Sequence, residues 1–267
     1  METMKCELCG GSINVVLLRM GSHRLVKCAS CGLVWTDGFG LGSTSYVEED
    51  YFTIKNQYVD RWDEFCEMFD SLLDKIVRFK AKGRLLDVGA GVGMLLSVAA
   101  RRGFVAQGVE VSRWASAFAR EEKGLDVQTG TLEDAGLETG AFDIVVINHV
   151  LEHVVNPRVL LAEVHRILKY DGLLVIGVPN IGSIMACLRG RKWQSLRPEE
   201  HIWHFSPATI ERLAKETGFT KLYFESRENY PVTGWGPKAL LIRIINGVSV
   251  LTGRSEAMLL FATKTSI

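Results

Sequence analysis

The sequence predicts an α/β protein, a mostly parallel sheet with helices on both faces, preceded by a small metal-binding unit. Three observations lead there. From Arg84 onward, short apolar runs alternate with stretches of helical spacing, the rhythm of βαβ units. The first of these runs leads straight into the glycine-rich turn Asp87-Val88-Gly89-Ala90-Gly91-Val92-Gly93. Four of the six cysteines fall as two Cys-x2-Cys pairs near the start of the chain.

Residues 1–40 hold those pairs, with short β-like runs between them. Cys6 and Cys9 are separated from Cys28 and Cys31 by eighteen residues, and Gly10 and Gly32 follow the two pairs. Four thiolates at this spacing suit a tetrahedral Zn2+. A shell of four thiolates leaves no open position, so its expected role is folding or docking. Residues 41–58 are mixed and polar and read as a linker. Trp62, Phe65, Phe69, Leu72, Leu73, Ile76 and Val77 recur at helical spacing, which places an amphipathic helix within 59–80.

The main domain is expected over 81–267. Its strands are read at 85–88, 105–111, 142–147, 173–178, 221–226 and 258–263. Its helices are read at 93–102, 113–123, 157–168, 207–217 and 239–251. Ser206 and Pro207 have the N-cap and N1 chemistry of a helix start. Two stretches, 181–205 and 231–255, interrupt the alternation as insertions.

Composition narrows the function classes. The chain has 267 residues, 47% of them hydrophobic, enough for one large domain and an accessory unit. Thirty-one basic residues balance thirty-one acidic ones, so no global field favours nucleic acid. Met1 to Gly10 lacks the pattern of a signal peptide. No apolar run reaches the roughly 18 residues of a membrane span. The cytoplasm is the expected compartment, and there cysteines bind metal or stay free rather than pair.

The glycine-rich turn carries the chemistry. Glycines permit a tight turn and close approach of a ligand to the backbone. The helix that follows offers free N–H donors. Glu110, after the next strand, lies about twenty residues on, where an acid can bind ribose hydroxyls. The glycines read G-x-G-x-G rather than the G-x-G-x-x-G of nicotinamide-binding loops.

With this loop, Phe142-Asp143-Ile144-Val145-Val146, Asn148-His149-Val150-Leu151-Glu152-His153, Leu168-Lys169-Tyr170-Asp171-Gly172 and Val178-Pro179-Asn180, the sequence resembles class I S-adenosylmethionine (SAM)-dependent methyltransferases over about residues 60–267. The resemblance implies a Rossmann-like sheet of seven strands. It implies that Gly89, Ala90, Gly91 and Gly93 wrap the methionine part of SAM, with Asp87 near its ammonium. Glu110 and Val111 would hold the ribose, Thr131 and Leu132 the adenine, and Asn148 would complete the cofactor site. Many relatives carry Asp where this chain has Thr131, and Glu133 or Asp134 would then substitute. The cysteine unit resembles those of some bacterial sugar C-methyltransferases and some ribosomal RNA methyltransferases.

His149, Glu152 and His153 stand at i, i+3 and i+4 and would share one face of a helical turn. Ubiquinone-pathway O-methyltransferases and small-RNA 2′-O-methyltransferases have a similar metal-binding Glu-x-x-Glu-His pattern, which makes a second divalent ion here one reading, completed by His201 or His204. The reading favoured by the sequence is that Glu152 and His153 cap the next helix. His153, His201 and His204 are the general-base candidates, because imidazole titrates near neutrality.

Arg189, Arg191, Lys192, Trp193 and Arg197 lie in the first insertion, where arginines suit a phosphate or carboxylate and tryptophan can stack on a ring. The alternative is a solvated basic lid with its aromatics packed inward. The apolar stretch 239–251 suits burial, self-association or peripheral lipid contact. Together these features point to methyl transfer onto an O, N or C nucleophile of a small molecule, with a phosphorylated or nucleotide-linked sugar as first choice. The alternatives are an RNA methyltransferase docking through its zinc unit and a non-catalytic SAM-binding scaffold.

Overall fold

The computed structural model describes residues 5–38, 48–227 and 236–265. Its main sheet alternates strand and helix through β4 (Arg84–Val88), α2 (Met94–Arg101), β5 (Val105–Glu110), α3 (Arg113–Glu121), β6 (Val127–Thr129), β7 (Phe142–Asn148), α4 (Pro157–Ile167) and β8 (Leu168–Pro179). After an excursion come α6 (Pro207–Glu216), β10 (Phe219–Arg227), α7 (Pro237–Leu251) and β11 (Ala257–Lys264). The seven strands lie in the order β10-β11-β8-β7-β4-β5-β6. Only β11 runs against the others, pairing antiparallel with both β8 and β10. This is the Rossmann-like, mostly parallel sheet expected from the sequence.

Alternation along each central strand feeds two cores. From β7, Ile144 and Val146 join Leu95, Phe104 and Phe261 on the face covered by α2, α3 and α1 (Trp62–Ile76). Val145 and Ile147 join Leu160, Leu161, Val164, Ile210 and Leu213 on the α4 and α6 face. Such strands, apolar on both sides, are what a parallel sheet covered by helices requires. Asn156 caps α4, its side chain accepting from the Arg158 and Val159 amides, with Pro157 at the first helical position. Ser206 and Thr209 form a reciprocal cap on α6.

A second sheet holds β1 (Asn14–Met20), β2 (His23–Cys28), β3 (Val34–Asp37) and β9 (Trp203–His204). Its fourth strand comes from the insertion expected to be irregular, with Val34 opposite His204 and Trp35 opposite Trp203. Cys6, Leu8, Cys28, Leu33 and Trp35 belong to the same core cluster as α4 and α6. Arg158 on α4 donates from Nε to the Glu7 carbonyl at 2.9 Å and from its terminal nitrogen to the Leu8 carbonyl at 2.6 Å. The cysteine unit is thus packed onto the main domain at several points. Before α1, Tyr51–Lys55 form a helical turn in which Phe52 is buried, which corrects the reading of 41–58 as a polar linker; residues 41–47 of it lie outside the described residues. The insertion expected at 231–255 is described from residue 236 onward, where α7 dominates it.

Candidate functional site

The glycine loop joins β4 to α2 and is tied to β5, Gly89 and Ala90 both donating to the Val109 carbonyl at 2.8 and 3.1 Å. Gly89 has φ +74°, and a Cβ there would stand 2.3 Å from Val150 Cγ2. Left-handed backbone and lack of room together require glycine at this position. Beyond the loop, Glu110 accepts the Gly91 amide at 2.7 Å through one oxygen and the Ser112 amide at 2.8 Å through the other. Sequence reasoning gave Glu110 a ribose role alone; here it also fixes the loop's shape, and its remaining lone pairs stay available.

The loop borders a cavity of about 1270 Å³. Asp87, Gly89, Ala90, Gly91, Glu110 and Val111 line it, as do Thr131, Leu132 and Asn148. Gly93 does not; it serves as N-cap of α2. Asp87 is 5% exposed, and burial, then the Glu110 charge, push its carboxyl well above the usual range. Burial likewise raises Glu110 against the opposing amides. A cationic ligand would cancel that cost, and Asn148 Oδ1 is a buried acceptor without a partner. An ammonium-bearing group therefore fits this end of the cavity. Thr131 is held by Asp134, its hydroxyl donating at 2.8 Å, and Glu133 also reaches the cavity.

The roof was missed. Tyr51, Phe52, Lys55, Tyr58, Arg61 and Phe65 line the cavity from the segment before and within α1. Phe52 stacks on Trp114 at 5.9 Å between centroids and lies over the loop, 3.6 Å from where a Gly91 Cβ would stand. The signal was the Tyr51-Phe52 pair inside an otherwise polar stretch. Lys55 closes the roof by pairing with Glu200.

The far wall is a histidine and carboxylate cluster. The turn after β7 is not helical, and Glu152 and His153 do not cap α4; Asn156 does. Ligand atoms of Glu152, His153 and His201 all lie within 4.8 Å of one another. His153 Nδ1 contacts the Glu200 carbonyl at 2.9 Å and His201 Nδ1 the Ser195 carbonyl at 3.0 Å. A carbonyl only accepts, so each Nδ1 carries the proton and each Nε2 the lone pair. Burial lowers both imidazoles, His201 well below the usual histidine range with His153 adding to it. Burial opposes the charge on Glu152, but the His149 hydrogen bond at 3.1 Å leads the causes that hold its carboxyl at about 2. Glu152 Oε2 is buried without a hydrogen-bond partner.

His204 is separate. It does not line the cavity, it is buried against Thr36 Oγ1 at 3.0 Å, and burial lowers it to about 4. The structure corrects its candidacy as a base that meets substrate. Of the insertion's basic residues, Arg197 lines the cavity, while Arg189, Arg191 and Lys192 lie elsewhere. Trp193 is no stacking platform: it is buried, its indole donating to Glu256 at 2.8 Å.

Across the α4 face, the four cysteines form one cluster of free thiols, with Cys6–Cys31 and Cys9–Cys28 sulfur pairs at 3.5 Å. The edge of a tetrahedron with about 2.3 Å bonds to sulfur is close to 4 Å, whereas a disulfide is about 2 Å. The two knuckles are built alike, Gly10 donating to the Cys6 carbonyl at 2.7 Å and Gly32 to the Cys28 carbonyl at 3.0 Å. The donor set and its spacing fit zinc.

The family model for the methyltransferase domain matches residues 61–223. An uncharacterised protein of Methanocaldococcus jannaschii is 29% identical over 164 residues, 61% of this chain and 78% of that one. The ubiquinone biosynthesis O-methyltransferase of Cereibacter sphaeroides is 33% identical over 167 residues, 58% of this chain and 67% of that one. That of Thiobacillus denitrificans is 29% identical and matched over 63% of its length, 51% of this chain. In fold, a SAM-dependent methyltransferase of Archaeoglobus fulgidus superposes with TM-score 0.56 at 22% identity, over 74% of this chain and 94% of its own. One from Thermotoga maritima does so with TM-score 0.57 at 21% identity, over 82% and 100%. The chain belongs to the methyltransferase-domain family and has the fold of SAM-dependent methyltransferases.

Proposed function

We propose that the protein transfers a methyl group from SAM to a nucleophile on a small molecule. The observation that carries this reading is the cavity itself. A glycine loop with two buried carboxylates stands on one side, and two neutral imidazoles with Nε2 lone pairs on the other. When bound, SAM supplies an activated methyl on a sulfonium. Asp87 and Asn148 would receive its ammonium, Glu110 and Val111 its ribose, and Thr131, Leu132 and Glu133 its adenine. Phe52 and Tyr51 would close the roof and keep water out. His153 or His201 would accept the proton released as the nucleophile gains the methyl. Glu152 would stabilise the resulting imidazolium, and the Nδ1 contacts fix the ring that does so.

Arg61, paired with Glu64, and Arg197, paired with Glu200, line the cavity; their remaining N–H donors would suit an acceptor with an anionic group, and a phosphorylated or nucleotide-linked sugar remains the first choice. Zinc at Cys6, Cys9, Cys28 and Cys31 would be structural. The partnerless Glu152 Oε2 favours a second reading of the same wall, in which Glu152, His153 and His201 hold a divalent ion: each histidine is already oriented by a carbonyl on its far nitrogen, as metal-binding histidines are.

The test is incubation with methyl-labelled SAM and host extract fractions. Label in the small-molecule fraction, lost on His201→Ala or His153→Ala and independent of added metal, supports the base reading. Label in RNA or protein contradicts the acceptor class. Magnesium, manganese or zinc dependence of the transfer favours the ion.

A further inference from the structure

Helix α7 turns its more apolar side to solvent. Ala239, Ile242, Ile245, Asn246 and Ser249 face the protein, a stripe with two polar members and one small one. The outward stripe is Leu240, Leu241, Ile244, Val248 and Leu251, with Ile244 57% and Leu251 88% exposed. A surface helix ordinarily does the reverse, and a contiguous exposed apolar stripe marks a contact site.

The stripe does not stand alone. The Ile184 amide donates to the Arg254 carbonyl at 3.0 Å, and Arg254 Nε donates to the Gly182 carbonyl at 3.1 Å. These bonds join the end of α7 to the start of α5 (Ile184–Arg189). Ile245 of α7 packs with Met185 and Ala186 of α5, and α5 adds Leu188, 64% exposed. Segments 181–192 and 236–254 together carry six Lys or Arg residues and no Asp or Glu. The chain as a whole is neutral, so this is a local concentration of charge.

We propose that α5 and α7 form a docking surface for a lipid bilayer with anionic headgroups. Apolar side chains would enter the boundary of the acyl region while basic ones meet the phosphates. The charge decides between occupants. A second copy would place the same basic patch opposite itself, because a twofold interface is self-complementary, and like charges so placed repel. Anionic headgroups complement it. No described helix is long and apolar enough to cross a membrane, so contact would be peripheral. Just beyond α5, Gln194, Ser195 and Arg197 line the cavity, so docking would bring its rim to the interface.

Sedimentation of the full chain with phosphatidylcholine vesicles, with and without phosphatidylglycerol, tests this. Binding is expected with phosphatidylglycerol, weakened by salt. Ile244→Glu should reduce it at least tenfold, and Arg189→Gln or Arg191→Gln about fivefold each, with melting temperatures unchanged. Absence of binding to phosphatidylglycerol vesicles, or unaltered binding by Ile244→Glu, overturns the proposal. So does a dimer in analytical ultracentrifugation that Ile244→Glu abolishes, which would assign the stripe to a second copy.

Discussion

Thr36 Oγ1 donates to the backbone carbonyl of His201 at 2.8 Å. Thr36 belongs to β3 in the cysteine unit, and His201 to the cavity wall. The Ile202 and Trp203 amides donate to the Glu152 carbonyl at 2.8 and 3.1 Å, and the Trp203 indole donates to the Val154 carbonyl at 2.9 Å. The cysteine unit therefore braces β9, and β9 braces the turn carrying Glu152 and His153. Thr36→Val leaves the His201 carbonyl buried without this donor, at a cost of about 1–3 kcal/mol. Urea unfolding should show that loss. Binding of S-adenosylhomocysteine, across the cavity, should be unchanged.

Metal loading should be felt along the same path. The purified protein is expected to carry one zinc ion per chain. Its removal by chelation should lower the melting temperature and speed hydrogen exchange at residues 149–154 and 200–205, measured by mass spectrometry. Unchanged exchange there after complete zinc loss would break the link between cysteine unit and wall.

The glycine loop admits little substitution. Gly89→Ala would place a side chain at φ +74° and 2.3 Å from Val150 Cγ2, costing about 1–2 kcal/mol in backbone strain alone besides the clash. The expected outcome is at least a tenfold loss of S-adenosylhomocysteine affinity by calorimetry.

Mild acid should remove the stability that the buried neutral histidines contribute, against the opposite contribution of Asp87 and Glu110, whose raised carboxyls gain from protonation. His204 titrates at about 4 in the folded chain because burial disfavours its charged form, against about 6.5 when unfolded. Below that unfolded value the unfolded chain binds the extra proton, so stability falls as pH drops from about 6.5 toward 4. His204 alone accounts for about 3 kcal/mol over that window, and His153 and His201 act in the same direction. Urea unfolding at neutral pH and in mild acid measures this. His204→Gln should flatten the dependence.

The strands of the main sheet and the glycine loop were legible because their signals are local: apolar runs, helical spacing and glycine turns. The short β6 went unlocated, since three residues carry no periodicity. Trp203 and His204 looked irregular for a related reason: two residues form a strand only because β3, some 170 positions earlier, supplies the partner. Phe52 was lost in a segment whose neighbours are polar. The histidines were singled out by type, but sequence could not separate His201 from His204; only the fold turns one to the cavity and the other to Thr36. The basic insertion misled for the converse reason, because composition does not say that Arg197 lines the site and Arg189 and Arg191 do not.

Calorimetric titration of the purified protein with S-adenosylhomocysteine tests the central claim most directly. The account predicts saturable binding of one molecule per chain, a raised melting temperature, and a marked loss of affinity in Glu110→Ala. No heat of binding and an unchanged melting temperature at saturating concentration would contradict it.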